Sequence, residues 1–62
     1  MDEKQAEELL EDVLDEAVLE GKLPELARIE TFEDAGVLTM SRGLVLHMAD
    51  GSEFQLMLVR SR

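Results

Sequence analysis

With one histidine and no cysteine, this chain of 62 residues has few means of doing chemistry. General acid or base catalysis needs a group that titrates near the working pH beside a second, positioned group, and His47 is the single side chain of that kind. If residues 43–60 fold as a hairpin, Glu53 stands across from it and could orient the imidazole. A nucleophile is harder to find. The hydroxyls of Thr31, Thr39, Ser41, Ser52 and Ser61 fall mostly in expected turns or at the chain end, and there is no thiol. The pair therefore reads as a surface contact contributing at most about 1 kcal/mol, and the chain is expected not to be an enzyme.

Metal and nucleotide chemistry fare no better. One His without Cys does not make an ordinary zinc site, and Asp50-Gly51-Ser52-Glu53 lacks the regular oxygen spacing of a calcium loop. Gly21, Gly36, Gly43 and Gly51 stand singly at expected turns, so no phosphate-cradling loop is formed. No catalytic, cofactor-binding or metal-ligating residue is expected, and no cofactor.

The elements that would carry a binding surface are clearer. Ala6, Leu9, Leu10, Val13, Leu14, Ala17 and Val18 recur at helical spacing, which predicts one amphipathic helix over residues 2–20. Asp2 and Glu3 suit its start, Gly21 its end, and Pro24 forbids continuation. Strands are expected at about 27–32, 43–49 and 52–60, either with or without a further short one at 37–40, and Glu33-Asp34-Ala35-Gly36 as a tight turn or one helical turn closed by Gly36.

Between the last two strands, Ala49-Asp50-Gly51-Ser52 is a strong turn signal, and loop length decides which residues share a face. A two-residue turn mixes polar and apolar side chains on both faces. A three-residue loop with Gly51 in the left-handed bulge position pairs Leu46 with Phe54, Leu44 with Leu56 and His47 with Glu53, and so segregates them. Leu44, Leu46, Met48, Phe54, Leu56 and Leu58 then face the helix. The opposite, open face carries Val45, His47, Glu53, Gln55, Met57 and Val59. The fold class expected is α+β, one single domain over residues 1–62 with the helix laid across a three- or four-stranded antiparallel meander.

Charge is the most unusual property. Residues 1–35 carry net -10 and residues 36–62 net +1, which together make the formal -9. Glu8, Glu11, Asp12, Asp15 and Glu16 cluster opposite the apolar stripe, and like-charged neighbours four apart cost about 0.2–0.5 kcal/mol each. With a pI near 4.3 and aromatics at 3%, direct nucleic-acid binding is not expected. No apolar run approaches the roughly 18 residues of a membrane span, and the Met1-Asp2-Glu3 start is unlike a secretory signal. A cytoplasmic protein is expected. In size and acidity it resembles short accessory reading frames of phages and mobile elements.

Two surfaces remain as candidates for function. The open sheet face, through Val45, His47, Gln55, Met57 and Val59, suits a protein partner or a second copy of the chain. The acidic helix face instead suits a basic partner, as a nucleic-acid mimic that occupies a DNA- or RNA-binding protein. A chain this short buries only about 60% of the surface its unfolded form exposes, which favours covering some of the remainder with a partner.

Overall fold

The computed structural model describes residues 1–62. Helix α1 spans Glu3–Leu19, and strands β1 (Leu26–Thr31), β2 (Arg42–Met48) and β3 (Glu53–Leu58) form one antiparallel sheet in that order. The α+β meander expected from the sequence is the observed fold.

Helix α1 starts with a reciprocal cap. Asp2 Oδ1 accepts from Gln5 N at 2.8 Å, and Gln5 Oε1 accepts from Asp2 N at 2.9 Å, which satisfies two backbone donors that no helical turn can reach. At the other end, Gly21 takes the left-handed conformation, φ 72°, while Lys22 N donates to Ala17 O and stops the helix.

The β2–β3 hairpin has the segregating register: Leu46 opposite Phe54, Leu44 opposite Leu56, His47 opposite Glu53. Its turn is the three-residue bulged type. Gly51 has φ 92°, Gly51 N donates to Met48 O, and Met48 N donates to Ser52 O at 2.8 Å. Asp50 Oδ1 accepts from Ser52 N at 2.9 Å and Ser52 Oγ at 2.6 Å. Those bonds hold the Asp50 carboxyl below the ordinary carboxylate range.

Of the three- and four-stranded forms expected, the structure has three strands. Residues 37–40 form no strand, because Val37 N donates back to Phe32 O, Thr39 N to Val37 O and Ser41 N to Thr39 Oγ1. Local turns use the backbone groups that a strand would need. Gly43, expected where a turn meets the strand 43–49, is a buried residue inside β2.

The core is Leu26, Ile29 and Leu44, with Leu10, Leu14 and Val18 of the helix, Leu23, Leu46 and Met48 packed round it. All the sheet residues in that cluster belong to β1 and β2. A helix is about 10 Å across and strands are about 4.8 Å apart, so one helix covers roughly two strands. The third is left over. Phe54 and Leu56 do lie on the helix side of the sheet by register, but they are solvent-exposed, Phe54 by 57%.

Candidate functional site

The open face of the sheet is largely an ionic surface. His47 lies between two carboxylates, with Nε2 2.6 Å from Glu30 Oε1 and Nδ1 3.5 Å from Glu53 Oε1. Arg28 Nη2 sits 3.0 Å from the same Glu30 oxygen. Glu30 is the partner that the hairpin alone did not reveal: it comes from β1, whose pairing with β2 sets Arg28 opposite His47 and Glu30 opposite Val45. The hydroxyls are engaged elsewhere: Thr31 Oγ1 accepts from Asp34 N, and Ser52 Oγ bonds Asp50. No hydroxyl joins His47 in a nucleophilic arrangement.

Val45 must be removed from the proposed contact surface. It is 2% exposed. It stands at the centre of the middle strand, with Glu30 and Gln55 opposite it on the two neighbouring strands. His47 is also largely covered by its two carboxylate neighbours. Gln55, Met57 and Val59 remain exposed, Met57 by 56%. These three lie on or just beyond β3.

Apart from Leu38 and Met40 in the loop before β2 and Met1 and Leu19 at the ends of the helix, the exposed large apolar side chains gather around β3: Phe54 and Leu56 towards the helix, Met57 and, just past the strand, Val59 away from it. Leu9 and Val13 add to it. The helix buries the line Glu7, Leu10, Leu14 and Val18, so Leu9 and Val13 sit on one flank and stay half exposed. Glu11, on the other flank, feels the charge of Asp34 just past β1. The Leu9–Val13 flank is therefore the one on the β3 side. No protein-family model matches the chain, and comparison with curated proteins and with solved structures finds none that resembles it. Any functional reading rests on these surfaces.

The acidic helix face is present as the spacing predicts. Glu8, Asp12, Asp15 and Glu16 are exposed, Glu11 is half-buried, and none of the five has a basic group within 4.0 Å. Partial burial, then the charges of Asp15, Asp34, Asp12 and Glu7, raise the Glu11 carboxyl above its ordinary value of 4.5. A carboxyl whose folded value is raised stabilises the fold when protonated, and that contribution is lost as pH rises through the folded value. Glu11→Gln is accordingly expected to stabilise the protein at neutral pH. Relief of the two i, i+4 repulsions with Glu7 and Asp15 sets the scale at roughly 0.4–1 kcal/mol. Urea unfolding at pH 7 and at pH 4 checks it, with the gain shrinking at the lower pH.

One functional side chain escaped the sequence reading. Glu7, which lies outside the acidic cluster named from the sequence, is the single buried residue of the helix, 4% exposed. Its Oε2 accepts from Gly43 N at 2.9 Å. The reason is visible in the ladder. β1 ends at Thr31, Phe32 N still donates to Gly43 O, and then the chain turns away, so no strand residue is left to accept from Gly43 N. The carboxylate from the helix completes the ladder. Its signal in the sequence is spacing: Glu7 stands three residues before Leu10 and seven before Leu14, inside the apolar stripe.

Beside Glu7 an open cleft of about 440 Å³ is lined by Phe32, Glu33, Arg42 and residues 37–41. Its charged groups are already paired, Glu7 with Gly43 and Glu33 with Arg42 at 3.5 Å, and Thr39 Oγ1 accepts from Ser41 N. No helix of the chain is long and apolar enough to cross a membrane.

Proposed function

We propose that this chain is a protein-interaction module that works through β3. The observation that supports this reading is the concentration of exposed apolar side chains on one edge strand, while the rest of the open face is held in ion pairs. Apolar clusters with charged surroundings are the usual mark of a contact surface, whereas isolated ones are not. The working surface is thus narrower than an entire sheet face, and it includes residues on the helix side.

Affinity capture with the intact chain tests the reading. Phe54→Lys combined with Met57→Lys alters both sides of β3 at exposed positions, so the fold is expected to persist and capture of the partner to fall by an order of magnitude or more. Glu8→Lys, Asp12→Lys and Asp15→Lys together are expected to leave capture unchanged. The reverse pattern, with the captured protein basic and released by salt, would replace this reading with that of an acidic nucleic-acid mimic acting through the helix.

A further inference from the structure

We infer that the partner of β3 is a second copy of this chain, paired antiparallel across a two-fold axis so that two three-stranded sheets become one of six strands. The inference rests on the reading of β3 as the working surface and names its occupant.

The two edges of the sheet differ in how they are protected. β1 carries a register shift between Leu26 and Arg28, and places Arg28 and Glu30 along its length. A bulge and mid-strand charges are devices that discourage pairing with another chain. β3, Glu53-Phe54-Gln55-Leu56-Met57-Leu58, has neither a bulge nor a proline, and its one charge is at its first residue. It is an open template.

The backbone groups it offers follow from the hairpin. Met48 and Ser52 form a hydrogen-bonded pair, and such pairs alternate along an antiparallel ladder. Phe54, Leu56 and Leu58 therefore bond inward to β2. Glu53, Gln55 and Met57 turn their N–H and C=O groups outward. A second β3, run antiparallel, presents the same set in the complementary direction, so each copy satisfies the other and the assembly closes. The two-fold also keeps the faces together: Phe54, Leu56 and Leu58 lie beside the same residues of the other copy, bordered by Leu9 and Val13 from each helix.

Charge points to the same surface. Two chains of net -9 repel wherever their helices meet, but β3 lies in the half of the chain that carries net +1. Antiparallel pairing also brings Arg60 and Arg62 of one copy towards Asp50 and Glu53 of the other, so each acidic end meets a basic one. The area agrees. A folded monomer of 7.0 kDa is expected to expose about 4,000 Å². This chain exposes 4671 Å², an excess of roughly 600 Å². That is close to the share of about 800 Å² that each partner contributes to a standard interface.

Sedimentation equilibrium of the intact chain over micromolar to millimolar concentrations is the test, run with two variants. The wild type is expected to reach twice the mass of the chain. Met57→Pro removes one outward N–H and leaves the bonds to β2 intact, so the helical circular dichroism should persist while the dimer dissociation constant rises roughly tenfold or more. Leu56→Lys, at an exposed position, sets ammonium groups close together across the two-fold and should weaken the dimer at least as much. A wild type that stays monomeric at every concentration would overturn the inference, and so would a dimer that neither substitution weakens. If it is monomeric but the Phe54→Lys, Met57→Lys double variant still loses a captured protein, β3 remains the interaction strand with a different occupant. If nothing is lost there either, both readings fall.

Discussion

Gly43→Ala is expected to cost about 3 kcal/mol or more, roughly a third or more of the stability a chain of this size has. A small domain has little to lose: at roughly 0.05–0.15 kcal/mol per residue, this chain should be stable by only about 3–9 kcal/mol. Gly43 lies in the central strand with ordinary backbone angles, so space and not conformational freedom demands glycine. A Cβ there would press on the backbone oxygen of Leu56 and stand 2.5 Å from Phe32 Cζ. Real Cβ atoms do not sit so close to anything. The oxygen belongs to the neighbouring strand and cannot yield without moving β3 relative to β2, and the ring belongs to Phe32, which is 3% exposed and can yield only by leaving its packed position for the cleft it lines. Overpacking usually costs about 1–3 kcal/mol where side chains alone adjust, and backbone displacement adds to that. Urea unfolding followed by far-ultraviolet circular dichroism gives the value. A Gly43→Ala protein within about 0.5 kcal/mol of the wild type would show that strand and ring yield far more easily than their packing implies.

The second large effect concerns the other side of the same residue. Glu7→Ala is expected to destabilise the fold by roughly 2 kcal/mol, because it strands the buried Gly43 N–H without an acceptor and removes the stem packed above it. Glu7→Gln keeps an acceptor oxygen at the same reach and should lose noticeably less. Native-state hydrogen exchange offers a site-specific check, since the Gly43 amide should exchange much faster in Glu7→Ala than in Glu7→Gln. Equal stability and equal exchange for the two variants would mean that the carboxylate is not what completes the ladder. The two predictions converge on Gly43, so Glu7→Ala and Gly43→Ala should not be additive.

Much of this fold is legible in the residues. The helix follows from seven apolar residues at helical spacing and from Asp2 and Gly21 at its ends, and the observed element differs from the expected one by a single residue at each terminus. The hairpin register follows from requiring each face to be of one kind, and Gly51 confirms the loop that this requirement selected. The stretch 37–40 leaves the strand count open, because Val, Leu, Thr and Met suit a strand, whereas the turn bonds that claim their backbone depend on where Phe32 sits. Of the candidate surface, Gln55, Met57 and Val59 are available as expected, and Val45 is not.

Periodicity and turn chemistry are properties of neighbours along the chain, and they were enough to specify the elements, the order of the strands' faces and the split of charge between an acidic helix and a near-neutral hairpin. They say which residues share a face. They do not say what lies over that face. The placement of the helix across β1 and β2, which leaves Phe54 and Leu56 uncovered, depends on the width of one helix against three strands. The burial of Val45 depends on β1 arriving beside β2, and the role of Glu7 on β1 ending one residue too soon to accept from Gly43. Each of these follows from contacts between segments far apart in sequence, and it is from them that β3 emerges as the strand left open.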